Sequence, residues 1–288
     1  MIICVCGPTG VGKTKLSVEL AKHYNGIVIN SDAMQVYKKM DIATAKIKEE
    51  EKENIKHYLF DICDLTDNYT IYDYQKDARK IIDSNSDKTI IMVGGSGLYQ
   101  KAALYDYSFD DESNNDNQYE DLTNEELYEL VLKKDPQTDI HVNNRKRLVR
   151  ALNKTNINHE KSKLLYKDVI FIGLTTDRKN LYNIINSRVD KMVSEGLLDE
   201  AKYFYDKKTK CKALDTVIGY KELFKYFNGE ITLDEALELI KKNSRRYAKR
   251  QYTWFNHQVP TIWVETNYSD FSKTVDEVIN IIDEKKNN

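Results

Sequence analysis

Proline is nearly missing from this chain, 3 in 288 residues, and its four cysteines, at 4, 6, 63 and 211, show no CxxC spacing and no neighbouring histidine cluster. That cysteine pattern excludes a zinc site and a disulfide framework, and it fits a reducing, cytoplasmic setting. Cys4 and Cys6 alternate inside the apolar run IICVC and read as small buried hydrophobes on one strand face. Long apolar runs are lacking too: no stretch approaches the ~18 residues of a membrane span, and the run at residue 2 is too short for the hydrophobic region of a signal peptide. No membrane partner is expected. Charge of one sign is also lacking, since 44 Lys and Arg stand against 46 Asp and Glu. A nucleic-acid partner would therefore have to be met by a local patch, because the net charge of -2 gives no general attraction. The Asn-Lys-x-Asp element by which GTPases read their base is absent, NKTN at 153–156 lacking the Asp.

What the chain does have is short continuous apolar runs: IICVC (2–6), IVI (27–29), TIIMV (89–93), VIFIGL (169–174) and TIWV (261–264). Continuous apolarity points to strands covered on both faces, hence a mostly parallel sheet, and the helical patterns between them make an α/β fold. Helices are expected from Lys13 to Tyr24, stopped by Asn25-Gly26, and over YTIYDYQKDARKIIDS. The acidic, Asn-rich segment 108–121 reads as a surface loop. After it, Thr123 and Glu126 have the form of a capping box, and a second helix should cover NNRKRLVRALNKT at 143–155. The organisation expected is a catalytic core of residues 1–107 and 166–288, its C-terminal part helical, interrupted by a helical insertion at 108–165.

GPTGVGKT, made of Gly7, Pro8, Thr9, Gly10, Val11, Gly12, Lys13 and Thr14, matches the G-x-x-x-x-G-K-[ST] phosphate loop and sits between an expected strand and an expected helix. Its glycines turn backbone N–H groups onto anionic oxygens, the helix N-terminus adds partial positive charge, Lys13 is a mobile cation and Thr14 offers a hydroxyl to Mg²⁺. The motif specifies phosphate and leaves the chemistry open. Asp61 in YLFDI is a short candidate for the magnesium-binding Asp of an ATPase. Asp32 is better placed, just past IVI on the ligand-binding side of an open α/β sheet. It reads either as a turn or capping residue or as a general base facing the phosphate site.

NSDAMQVYKKMDIATAK at 30–46, taken with the phosphate loop, resembles the tRNA dimethylallyltransferases, also called tRNA isopentenyltransferases. HYLFDI, VGGSGLYQKAAL, NNRKRLVRAL, SRVDKMVSEGLLDEA, IGYKEL and NSRRYAKRQYTWF continue the likeness in family order, leaving out mainly 108–121 and the C-terminal tail. The resemblance implies a P-loop NTPase-like core in a prenyltransferase that moves a dimethylallyl group from dimethylallyl diphosphate to N6 of adenosine 37, beside the tRNA anticodon, and releases pyrophosphate. It also implies that the loop holds a diphosphate rather than ATP. Carried over residue by residue, Asp32 is the catalytic base, and Lys13, Thr14 with Mg²⁺, and Arg188 neutralise the leaving group. By itself Arg188 reads as an ordinary surface helix residue. Ser96, where the family usually has Thr, is expected to touch the tRNA, and Asp32, Ala33, Met34 and Gln35 to line the pocket of a flipped adenine.

The local patch is then legible. Arg145 to Lys154 holds five basic residues and no acidic one, and Lys241 to Arg250 holds six and none. Lys146, Arg147, Leu148, Val149 and Arg150 on the first helix, and Arg246 and Arg250 on the second, are the expected tRNA contacts; a solvated charged face is the competing reading. Lys242 and Lys249 share the side of Arg246 and Arg250, while Ile240, Tyr247 and Trp254 share a side expected to pack inward. The chain departs from the family pattern at HVNN (141–144), Ala33, Ala43 and Ile47, none of which removes a charge assigned to chemistry. A cytoplasmic monomer is expected. Two other readings stand beside the transferase: an ATP-dependent small-molecule or nucleotide kinase using Lys13, Thr14 and Asp32, and a non-catalytic RNA-binding protein with a relic loop.

Overall fold

The computed structural model of the chain describes residues 1–107, 116–154, 162–209 and 211–287. The apolar runs form strands β1 (Ile2–Cys6), β2 (Ile27–Asn30), β4 (Ile90–Val93), β5 (Val169–Thr175) and β6 (Thr261–Glu265), joined by a two-residue β3 (His57–Tyr58). All pair in parallel in the order β3-β2-β4-β1-β5-β6. Strand β3 follows from YLFDI only in part, because positive φ at Leu59 and Asp61 ends its pairing at once.

Alternate side chains of each strand enter opposite cores, which is why the runs are apolar throughout. On one face Cys4, Cys6, Ile29, Met92 and Phe171 pack with Tyr74 of α2 (Ile71–Ser84) and with Ala103 and Leu104 of α3 (Gly97–Leu104). On the other, Ile3, Val5, Val28, Ile91 and Ile172 pack with Leu16 and Leu20 of α1 (Lys13–His23). Gly26 N–H closes α1 by donating to Ala21 O, with Asn25 in the left-handed region. The segment Asp106–Leu164 is a separate compact unit. It holds α4 (Asn124–Lys134), opened by the Thr123–Glu126 capping box, and α5 (Arg145–Asn153), closed on a small core of Leu127, Val131 and Leu148. The acidic stretch lies, over residues 108–115, outside the described residues; Asp116–Tyr119 forms a single 3-10 turn.

After β5 come α6 (Arg178–Ser194), α7 (Leu197–Asp206), α8 (Lys212–Thr216), α9 (Tyr220–Phe227) and α10 (Leu233–Gln258); α11 (Phe271–Asn287) follows β6. Helices α7 to α9 and the first half of α10 form a third core that takes in Met40. The segment that follows Asp32 is anchored to this core by one carboxylate. Glu200 of α7 accepts the N–H groups of Asp41, Ile42 and Ala43 at 2.9, 2.8 and 2.9 Å and the Tyr220 hydroxyl at 2.7 Å. Among the described residues no helix is long and apolar enough to cross a membrane.

A hydrogen bond to a charged acceptor contributes about 1.5–3 kcal/mol; Glu200 accepts four but is only half-buried, so water offsets much of their loss and Glu200→Ala should lower stability by roughly 3 kcal/mol or more in urea unfolding. Glu200→Gln, which keeps an acceptor, should lower it by about half as much. Equal losses in the two variants would show that the carboxylate's charge, not its acceptor geometry, holds the segment.

Candidate active site

Three loops leave the C-terminal ends of the neighbouring strands β1, β4 and β2, and they carry the functional side chains together. The first is the phosphate loop. Gly7, Gly10 and Gly12 have φ of 122°, 91° and 93°, the left-handed region that favours glycine. A Cβ at Gly7 would also lie 2.5 Å from the Leu174 carbonyl oxygen of β5. Pro8 and Val11 are buried, and Val11 offers the loop only its backbone, since its side chain lies in the core and its carbonyl accepts the Thr266 hydroxyl at 3.0 Å. Lys13 Nζ donates to the Pro8 carbonyl at 2.6 Å, folded back over the loop. Burial, and then the Arg188 charge, push the Lys13 ammonium down to about 8 while Asp32 and Cys6 oppose them. Thr14 stands exposed in the first turn of α1.

The second loop follows β2. Asn30 fixes its shape by accepting the Asp32 N–H at 2.8 Å and donating to the carbonyls of Asp32 and Leu59 at 3.1 and 2.9 Å. Asp32 Oδ1 accepts the Met34 N–H at 2.9 Å. Burial raises the Asp32 carboxyl above its ordinary range; the N–H groups of Met34 and Gln35 and the charges of Lys13 and Arg188 only partly offset it. Arg188 projects from α6 and feels Asp32 in turn, its own guanidinium held below its ordinary range by burial. Lys13, Asp32 and Arg188 thus share one electrostatic neighbourhood.

The third loop, Gly94 to Ser96, follows β4. A Cβ at Gly94 would fall 2.3 Å from the Ser31 carbonyl carbon, so only glycine lets the β4 and β2 loops touch. Ser96 Oγ accepts the Ala33 N–H at 3.1 Å, joining the third loop to the second. Gln35 donates to the carbonyls of Thr44 and Ala45, and Met34 packs on the third core. Ala33, Met34 and Gln35 are all half-buried, so this segment forms a wall beside Asp32.

On α10, Lys242, Arg246, Lys249 and Arg250 are exposed along one side. Ile240 is buried and Tyr247 and Trp254 are half-buried, but the deepest stripe of the second half is Ala248, Gln251 and Phe255. A polar Gln in that i, i+3, i+7 stripe is the signal that sequence reasoning passed over, and Tyr247, which it placed in the core, has its hydroxyl beside Ser96 and Gln251 and is raised by burial and by the Asp32 charge. On α5, Lys146, Arg147 and Arg150 are exposed and Val149 is half-buried, whereas Leu148 is fully buried and serves the small core rather than the surface. Asp61, the short candidate for an ATPase magnesium ligand, is paired instead with Lys46, whose Nζ lies 2.5 Å from its carboxylate and 2.7 Å from that of Asp41.

A phosphate loop, a raised carboxylate and an arginine, brought together at the strand ends, define a P-loop α/β protein with a candidate phosphate site. A family profile described as IPP transferase matches residues 35–258, more than half of the chain, beginning just after Asp32. The chain is 44% identical over 302 residues to a tRNA dimethylallyltransferase of Anoxybacillus flavithermus, covering 99% of this chain and 96% of that protein. Its fold matches the full-length tRNA isopentenylpyrophosphate transferase of Bacillus halodurans with a TM-score of 0.78 at 39% identity, over 99% of this chain and 96% of that one. A eukaryotic dimethylallyltransferase acting on tRNA superposes with a TM-score of 0.80 at 27% identity, over 96% of this chain and 77% of that one. The chain belongs to the IPP transferase family.

The Asp32 environment sets the sign of a stability test. A carboxyl raised by burial binds its proton more tightly folded than unfolded, so its ionisation costs stability as pH rises through the raised value. Asp32→Asn keeps an acceptor for Met34 without the charge, and its melting temperature should exceed the wild type's at pH 7, the gain shrinking as pH falls toward the ordinary carboxylate range. A variant less stable at pH 7 would show that the charge is net stabilised by Lys13 and Arg188.

Proposed function

We propose that this chain transfers a dimethylallyl group from dimethylallyl diphosphate to the exocyclic N6 of adenosine 37 in tRNA, releasing pyrophosphate. The observation that carries the reading is the placement of Asp32 opposite a phosphate loop, with Arg188 bearing on both Asp32 and Lys13. The N6–C1 bond forms as the C1–O bond breaks; the electron pair of that bond leaves with the diphosphate, and the N6 proton passes to the Asp32 carboxylate. An exocyclic amine is a weak nucleophile, so a carboxylate whose range is raised toward neutrality is a better acceptor than an ordinary surface Asp. Lys13, Arg188 and the N–H groups of the loop stabilise the charge that develops on the departing oxygens.

Mg²⁺ fits this site with one protein ligand. The exposed Thr14 hydroxyl would hold it, and no group of three His, Cys, Asp or Glu side chains suited to a metal occurs among the described residues, so most of its ligands would be diphosphate oxygens and water, as Mg²⁺ prefers. When bound it supplies positive charge to the leaving group. The tRNA backbone is met by Lys146, Arg147 and Arg150 on α5 and by Arg246 and Arg250 on α10. The Asp32–Gln35 wall and Ser96 receive the flipped adenine. The enzyme acts as a monomer in the cytoplasm. A kinase would share Lys13, Thr14 and Asp32 but has no use for the two basic helices or for family membership along residues 35–258.

Incubation with Mg²⁺ and unmodified tRNA, supplied with either labelled dimethylallyl diphosphate or γ-labelled ATP, tests the reading. Label should reach adenosine from the allylic donor alone; transfer of the γ-phosphate without prenylation would make the protein a kinase. Arg246→Ala with Arg250→Ala should weaken tRNA binding and flatten its logarithmic salt slope by roughly 0.7–0.9 for each phosphate contact removed. An unchanged slope would take α10 out of the RNA interface.

A further inference from the structure

Gln251 is 4% exposed on α10, and both ends of its amide are engaged. Its Oε1 accepts the Thr9 N–H at 3.2 Å, and its Nε2 donates to the Gly95 carbonyl at 3.1 Å. The groups it joins belong to two different loops, one following β1 and carrying the phosphate motif, the other following β4 and leading into Ser96. The bridge needs an acceptor on one side and a donor on the other, and the Gln amide supplies both at any pH without carrying a charge. The match is close on the far side as well, since a Cβ at Gly95 would lie 2.1 Å from Gln251 Nε2. One turn earlier, the Tyr247 hydroxyl stands beside both Ser96 and Gln251. Just after the third loop, at the first residue of α3, a Cβ at Gly97 would lie 2.0 Å from the Trp254 ring, so α10 presses on the loop and on the helix it opens.

We propose that Gln251 is a positioning residue for prenyl transfer: by tying Thr9 to Gly95 it sets the separation between the diphosphate-holding loop and the loop that carries Ser96. The proposal rests on the transferase reading. In that reaction the allylic C1 is placed by the first loop and the adenine N6 by the loops that bear Ser96 and Asp32, so the Thr9–Gly95 spacing governs how closely the reacting atoms meet. Both substrates retain their own binding groups when the bridge is cut. The effect therefore falls on the chemical step, where a misplacement of about 1 Å can cost on the order of 10²-fold in rate.

Steady-state kinetics of the full chain with tRNA, dimethylallyl diphosphate and Mg²⁺ provide the test, with tRNA binding used to count folded sites. For Gln251→Leu, kcat per site should fall at least tenfold while KM for either substrate changes less than threefold. Gln251→Glu keeps the acceptor for Thr9 and regains a donor for Gly95 only when its carboxyl is protonated. Its activity per folded site relative to the wild type at the same pH should therefore rise as pH falls. A Gln251→Leu kcat within twofold of the wild type, a loss that falls instead on both KM values, or a pH-independent Glu-to-wild-type ratio would overturn the role of Gln251. Wild-type turnover in the same assay separates the two claims: its absence would defeat the transferase reading itself, whereas normal wild-type turnover beside an unaffected variant defeats only this one.

Discussion

Lys13, Asp32 and Arg188 are held where burial disfavours the charge each of them carries; Asp32 and the two cations favour one another's charges, while Arg188 opposes that of Lys13. Two positive groups and one negative group leave this neighbourhood short of negative charge before any substrate arrives. In the proposed reaction a diphosphate supplies it, so that ligand binding would relieve an electrostatic tension that folding creates. The parallel sheet makes the arrangement possible because β2, β4 and β1 are neighbours whose chain ends all open on the same edge. The third core matters for the same reason: through Glu200 it holds the backbone of Asp41 to Ala43, at the far end of the segment that begins at Asp32.

The binding of phosphate and the acceptance of a proton are therefore one structural problem rather than two. Lys13 Nζ donates to the Pro8 carbonyl of its own loop, and its ammonium is lowered to about 8 by burial and by Arg188, so a neighbouring anion would favour its charge. Asp32 is raised rather than lowered, which suits the proton acceptor proposed for it. In the proposed reaction the phosphate loop binds a group that departs with electrons from carbon, a use of the same donors that hold a nucleotide elsewhere.

Much of this was legible in the sequence because the signals are local. Continuous apolar runs gave the parallel strands, Asn25-Gly26 the end of α1, Thr123 and Glu126 the start of α4, and the G-x-x-x-x-G-K-T spacing the phosphate loop. Asp32 could be singled out by its place after a strand. What stayed hidden depends on contacts between distant segments. Gln251 meets Thr9 from the other end of the chain, Glu200 meets Asp41 to Ala43 from a helix far along the chain, and Asp61 is engaged by a lysine that no local pattern pairs with it. The inward stripe of α10 was placed at Ile240, Tyr247 and Trp254, and a heptad spacing cannot by itself distinguish the half-buried Tyr247 from the buried Gln251 one turn on. Leu148 likewise looked like part of a basic surface because its neighbours are, yet a helix of nine residues needs such an apolar anchor to stay folded.

The central claim is geometric, that one site holds a leaving diphosphate and a proton acceptor on either side of an allylic carbon. A crystal structure of the protein with Mg²⁺, an unreactive thio analogue of dimethylallyl diphosphate and an anticodon stem-loop tests it most directly. The diphosphate should lie in the loop from Gly7 to Thr14 with the adenine N6 about 2.6–3.2 Å from an Asp32 carboxylate oxygen. A diphosphate bound outside that loop, or an adenine whose N6 faces away from Asp32, would contradict the account.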